Sequence, residues 1–326
     1  MPERSSLLQG TQFGLEVTPG TAVAANKRLL GTSIEPGIKV TTNTFRPYGQ
    51  KFTTINAMGK EWTEGSISGP LCYGDWTYLA ASGIQYTAPV QNAATIAYTQ
   101  THTPSMTAED TVKTYTIEVG GSVRAHSHAY GLVTSLGYTI NREECMVKGT
   151  MMGQRLSDGI TLTATPTDIA LQPVLPTEVS IYLDTAAAGL GTTKLLRVIE
   201  VSFDFSDRFG PVWPVDAAQT SFAAHLETEP KAQLKLKMAA DSVGMGLLTL
   251  MRAGTKRFMR VGAVGPVIVG AEVYSWKHDI SLTVSDVSEF SDDEGLYAIE
   301  WTFDATYDAT WTKTMVFTEV NTLSAL

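Results

Sequence analysis

Between residues 194 and 207 the chain reads KLLRVIEVSFDFSD, and from Ile199 onward apolar and polar positions alternate without a break. Ile199, Val201, Phe203 and Phe205 fall on one face; Glu200, Ser202 and Asp204 fall on the other. A period of two sends successive side chains to opposite faces of a sheet. The stretch therefore predicts a strand with one dry side and one acidic, hydroxylated side. Residues 296–304, LYAIEWTFD, repeat the design: Tyr297, Ile299, Trp301 and Phe303 against Ala298, Glu300, Thr302 and Asp304. A third copy sets Ile280, Leu282 and Val284 against Asp279, Ser281 and Thr283.

Weaker alternation predicts further strands at 34–44, 61–69, 114–119, 132–141, 145–154 and 178–184. Pro36 and Gly37 interrupt the first of these, which suits an edge or a bulge. Residues 45–55, FRPYGQKFTTI, read as a long connection. Residues 73–82 predict a short helix, with Asp75 at its N-cap and Gly83 as the left-handed residue that ends it. Residues 84–112 carry no clear period and read as a loop or irregular hairpin. After Lys194 the order of features recurs. Strands are expected at 232–238, 257–261, 278–285, 296–304 and 313–319. A helix is expected at 241–253, ended by Gly254, and residues 209–219 stand where 45–55 stood. The offset is near 165 residues, which predicts a duplicated architecture. The expected division is an N-terminal arm at 1–27, one β domain at 28–185 and a second at 186–326. The arm is polar and turn-rich, so its apolar groups (Leu7, Leu8, Phe13, Leu15) need cover from elsewhere.

Composition narrows the class. The chain has 326 residues, 43% apolar and 17% charged, which is ordinary for folded protein and gives room for roughly two domains. The net charge of −9 argues against a surface that grips nucleic acid through phosphates. It does not argue against a surface that nucleic acid passes without sticking. Cys72 and Cys145 carry no framework spacing and read as reduced thiols in packing positions. The opening MPERSSLLQG lacks the apolar core of a signal peptide, and no run reaches the roughly 18 apolar residues of a membrane helix. The expectation is a protein made in the cytoplasm, with no membrane contact.

Candidate chemistry is sparse. His126 and His128 form an H-x-H pair with His102 upstream, but no Asp, Glu or Cys nearby completes a metal set; loop or surface histidines are the expected outcome. The acidic turn at 291–295 lacks calcium-loop spacing. Gly262, Gly265 and Gly270 precede no helix, so they do not read as a phosphate cradle. No G-x-S-x-G, H-E-x-x-H or C-x-x-C occurs. Phe45, Arg46, Tyr48, Lys51 and Phe52 interleave aromatic and basic groups and read as a protein contact surface. No enzyme, cofactor or metal is expected.

Two strings point to a family. GLEVTPGTAVAANKRL at 14–29 resembles the N-terminal signature of siphophage major tail tube proteins, with its Gly, Glu and TPGTA. The strand, acidic turn and aromatic-alternating strand ending in SDDEGLYAIEWTFDATYD, within 280–308, also resemble that family. The resemblance implies a mainly β fold: two tandem tail-tube-like β-sandwich or half-barrel domains, each flanked by one short α-helix, with an extended N-terminal arm. It implies domains joined edge to edge in a ring, and rings stacked into a hollow tail tube that delivers DNA. Two domains per chain would make three copies a pseudo-hexameric ring, with six copies as the alternative. The bore would carry Glu35, Thr41, Thr139, Asn141, Glu200, Ser202, Asp204, Asp279, Ser281, Thr283, Glu300, Thr302 and Asp304. Contacts between rings would use Leu7, Leu8, Phe13, Phe45, Arg46, Tyr48, Phe52, Phe209 and Trp213. The implied partners are further copies of the chain, tape-measure, tail-terminator and distal tail proteins, and double-stranded DNA in transit, all within a virion. Two other readings stay open: a different phage or cell-surface β-rich structural or binding protein, and an enzyme whose histidines meet carboxylates in space.

Overall fold

The computed structural model describes residues 8–216 and 218–326. Among these the chain is mainly β, with twenty-one strands and two α-helices. The first part contains β1 (Gly10–Leu15), β2 (Lys27–Leu29), β3 (Ser33–Phe45), β4 (Ile55–Pro70), α1 (Asp75–Gly83), β5 (Val90–Gln91), β6 (Tyr98–His102), β7 (Tyr115–Gly120), β8 (Ala125–Asn141) and β9 (Cys145–Gly153). Three short strands follow: β10 (Ser157–Ile160), β11 (Thr167–Asp168) and β12 (Val179–Asp184). The rest comprises β13 (Val198–Ser206), β14 (Phe209–Val212), β15 (Ala224–Glu227), β16 (Lys231–Ala239), α2 (Ser242–Ala253), β17 (Arg257–Val269), β18 (Glu272–Val287), β19 (Ser291–Asp293), β20 (Leu296–Ala305) and β21 (Met315–Asn321).

The same chain of pairings occurs twice. In the first half it runs β2–β1–β7–β8–β9–β4–β3. In the second, a bridge from Lys194 to Tyr182 stands for β2–β1, and β12–β17–β18–β20–β16–β13 follows. Even a bulge recurs: β8 slips against β9 between Val133 and Ser135, and β18 slips against β20 between Val284 and Asp286. Strand pairing corrects two sequence alignments. The counterpart of β12 is β1, not β21, so the repeat starts earlier in each half than the pattern suggested. Ile34 stands where Val201 stands, an offset of 167 by register (201 − 34).

From Gly10 onward the expected arm is not free. β1 sits between β2 and β7, and Phe13 is 1% exposed, packed edge-on against Tyr78 and Tyr115. Glu16 fastens this segment. Its carboxylate accepts from the Gly20 and Tyr130 amides at 2.8 and 2.9 Å and from the Thr114 and Thr116 hydroxyls at 2.8 and 3.0 Å. Four donors satisfy a buried carboxylate that would otherwise be costly. Gly20 has φ +82, so the tight turn that aims its amide at Glu16 requires glycine.

The two halves share one hydrophobic core, and strands cross between them. β8 pairs with β13, and β21 lies between β6 and β18, while the expected 185/186 boundary cuts β12 from its neighbour β17. The 185/186 boundary therefore separates strands that share one sheet and one core. At the centre, Trp76 of α1 meets Tyr138, Trp276 and Phe317 at ring distances of 6.3, 5.5 and 5.1 Å. All nine residues of α1 are buried, because β21 passes against it from the other half. Asp75 does not cap α1: Gly74 holds the N-cap position, and the Asp75 carboxylate accepts from the Gly31 amide at 3.0 Å. Gly83 is the last helical residue, placed there because a Cβ would lie 2.8 Å from Val133. α2 follows the sequence expectation. Asp241 accepts from the Val243 and Gly244 amides, and Gly254 closes the helix at φ +58.

The stretch at 84–112, read as a loop or irregular hairpin, holds a short hairpin in which β5 pairs antiparallel with β6; the further pairing of β6 with β21 is the part the sequence does not signal. His102 of β6 is wholly buried and meets the Glu319 carboxylate at 2.9 Å and the Gln85 carbonyl at 2.5 Å. Burial opposes the charge on this imidazole, but Glu319 and the carbonyl outweigh it and raise its pKa. Cys72 and Cys145 are free and buried, and burial pushes both thiols up to about 12.

Candidate functional surface

The wet faces of the strands meet in register across eight strands. One row runs Ser33, Ser68, Lys148, Gly137, Asp204, Gln233, Asp304, Thr283, crossing β3, β4, β9, β8, β13, β16, β20 and β18. A second runs Thr139, Ser202, Lys235, Thr302, Asp286, and a third Asn141, Glu200, Lys237, Glu300. The opposite faces of the same strands point into the core: Tyr138, Val201, Phe203, Leu234, Leu236, Trp301 and Phe303 are all buried. Thus Thr139, Asn141, Glu200, Ser202, Asp204, Thr283, Glu300, Thr302 and Asp304 share one surface, as the alternation implied. Glu35, exposed on β3 opposite Ser66, extends it.

Three expected members of the surface behave differently. Ser281 is fully buried. Asp279 is engaged by Arg260, whose two nitrogens approach its oxygens at 2.6 and 2.8 Å. Thr41 stands out on the β3–β4 hairpin, where its hydroxyl accepts from the Lys60 amide at 2.7 Å. The surface is also less acidic than the predicted list. β16 brings Lys235 and Lys237 between the carboxylates of β13 and β20, and β9 brings Lys148. Lys235 lies 3.6 Å from Glu300, and Lys237 donates to Asp293 at 2.5 Å. The string AQLKLKM announces this strand, and its lysines alternate with buried leucines; that period was the available signal.

A second feature projects from the body. Residues 38–60, the outer part of the β3–β4 hairpin, are exposed on both faces apart from half-buried Pro47. The expected long connection is thus a turn closing two extended strands, with Phe45 paired to Ile55. Phe45, Arg46, Tyr48 and Phe52 all lie at its tip and are exposed, as is Leu8. Leu7 lies outside the described residues. A two-stranded ribbon with no third strand has little stability of its own.

The counterpart segment behaves oppositely. β14 and β15 form a ribbon that folds back on the body. Phe209 is buried there with Tyr130, Leu132, Met152 and Phe222, so it is core and not a contact residue. Trp213 is half-buried, 5.8 Å from Trp62, on a cleft of about 440 Å³ also lined by Thr41, Lys60 and Glu64. Phe13, in the core, likewise leaves the predicted contact set.

The histidine pair lies in β8, not in a loop. His128 is buried, and burial, with His126 beside it, lowers its pKa to about 4. Among the described residues no cluster of three or more His, Cys, Asp or Glu is arranged to hold a metal ion. No helix among them is long and apolar enough to cross a membrane. No protein-family model matches the chain, and no curated protein matches it.

Proposed function

We propose that this chain is the building block of a bacteriophage tail tube. Copies join into a ring, three per ring rather than six, and rings stack into a hollow conduit for DNA. The observation that carries this reading is the row across eight strands, polar at every position but Gly137 and backed on its other side by a single core. A globular enzyme has no need for so long a polar row with no cleft at its centre. A conduit does: its bore must be wet, uniform and weakly adhesive.

The charge pattern suits passage of a polyanion. Carboxylates repel phosphates at short range, and of the interleaved lysines Lys235 and Lys237 are tied to carboxylates. The projecting hairpin supplies contacts between rings. Its exposed Phe45, Tyr48 and Phe52 bury apolar surface on the next ring, which stabilises a ribbon that is marginal alone. On this reading the protein is a virion component, assembled in host cytoplasm, with no enzymatic role and no cofactor. It meets a tape-measure protein within the bore and terminator and distal tail proteins at the tube ends.

Negative-stain electron microscopy at rising protein concentration tests this directly. Hollow end-on rings or tubes with threefold or pseudo-sixfold averages are expected. Solid particles of single-chain size at every concentration, even with tail-initiator extract added, would overturn the reading.

A further inference from the structure

The repeated pairings leave one joint made and one open. Within the chain, the outer end of β8 pairs antiparallel with β13, Leu136 opposite Phe205 through Asn141 opposite Glu200. The register places β18 where β8 stands and β3 where β13 stands. Among the described residues, β3 pairs only with β4, and Asp286 and Val287 of β18 pair only with β20. Each half thus carries both sides of the same joint, and on the joint side the outer end of the second half's β18 and the first half's β3 have no partner strand among the described residues.

Exposure marks the open sides. Phe205 is 2% exposed in the closed joint, whereas its counterpart Ile38 is 57% exposed. Leu136 is buried, whereas its counterpart Val287 is only half-buried and is followed by exposed Ser288, Glu289 and Phe290. Seven strand spacings separate β3 from β18 along the row, about 34 Å at ~4.8 Å each if measured along the sheet. The two open sides therefore lie at opposite ends of that sheet.

We infer that a second copy of this chain closes the joint, with β18 of one copy pairing antiparallel with β3 of the next in the register of β8 and β13. The equivalent register sets Val287 opposite Ile38 and, one step away on the wet face, Asp286 opposite Lys39. Both charged residues are exposed. An opposite-charge cross-strand pair stabilises such a seam, and like charges placed there oppose it. Pro36 removes one donor from the edge of β3, which makes the edge a poor template for unrelated strands. The inference rests on the ring reading for its biological meaning, but its geometry comes from the internal repeat.

Two paired experiments test it. First, Ile38→Cys and Val287→Cys variants are made separately, mixed and oxidised. Cysteines at facing positions of antiparallel strands come within reach of a disulfide, so the mixture should give a covalent two-chain species well above either variant alone. Chains carrying both substitutions should give a ladder that ends at the ring's copy number. Second, Asp286→Lys or Lys39→Asp alone should abolish rings in micrographs, and the chain carrying both reversals should restore them. Folded single variants, checked by circular dichroism, keep a loss of rings interpretable. Rings that persist in the single reversals, with no cross-link, would overturn this seam and leave the ring reading standing. Cross-linked chains without rings would keep the seam and overturn the ring. Neither cross-link nor ring would overturn both.

Discussion

At the scale of single residues, buried ionisable groups set the behaviour. His128 shows this most simply. An unfolded chain takes up its proton near the ordinary value of 6.5, whereas burial delays uptake in the folded chain to about 4. Between those values the unfolded state holds the extra proton. Stability is therefore intact above about 6.5 and falls as pH drops toward about 4, by about 1.4 kcal/mol per pH unit for that one proton. His278, enclosed beside the Tyr138 hydroxyl at 2.9 Å, is pulled well below its usual value by burial and acts in the same direction. His128→Phe should flatten part of this acid limb, read as urea midpoints at stepped pH. An unchanged slope would show that His128 does not contribute. Nothing in the sequence around the histidine pair announces this burial. Arg208 was equally silent. Its guanidinium is buried and donates to the Gly83 and Ile84 carbonyls and to Asp110 and Glu227 at 2.5 to 3.0 Å. Those acceptors lie 19 to 125 residues away in the chain, so no local spacing could reveal them.

Elements divide by whether their determinants are local. α2 was legible because its caps are its own: Asp241 and Gly254 act within one turn of the helix ends. Asp241→Ala should lower stability by about 1 kcal/mol, and Gly254→Ala by about 1–2 kcal/mol because a Cβ is strained at φ +58. Thermal melts of both variants check this, and a neutral Gly254→Ala would contradict the left-handed cap. α1 was misread at both ends because long-range contacts decide them: Asp75 turns to Gly31, and Gly83 makes room for Val133. β13, β18 and β20 were legible because one face is dry and the other wet. β1 and β6 were not. GTQFGL and YTQTH have almost no apolar alternation, and their burial comes from flanking strands, β7 and β2 in one case and β21 in the other. The projecting hairpin and the folded-back β14–β15 ribbon looked equivalent in sequence. What separates them is whether Phe209 and Phe222 have a pocket to enter.

At the scale of the molecule, the duplicated order was visible in sequence but the fusion was not. Strand order is a local property repeated along the chain, whereas fusion depends on β13 pairing with β8 and β21 with β6, each across the two halves. Separate expression of residues 1–185 and 186–326 should therefore give two unfolded or aggregating fragments. Each would expose the dry face of the β8–β13 joint, including Tyr138 or Phe203. Near-ultraviolet circular dichroism of the fragments, alone and mixed, checks this; a sharp native spectrum from either alone would refute it. The internal joint also has a consequence for speed and strength. Because β8 and β13 belong to one chain, their encounter is unimolecular and independent of dilution, while a joint between chains must wait for collision. In a three-copy ring, half the seams would close during folding and half during assembly. Around the circumference, tethered seams would alternate with untethered ones. Pulled apart, such a ring would part at every second seam and release whole chains, so its mechanical period is three even where its surface repeats six times.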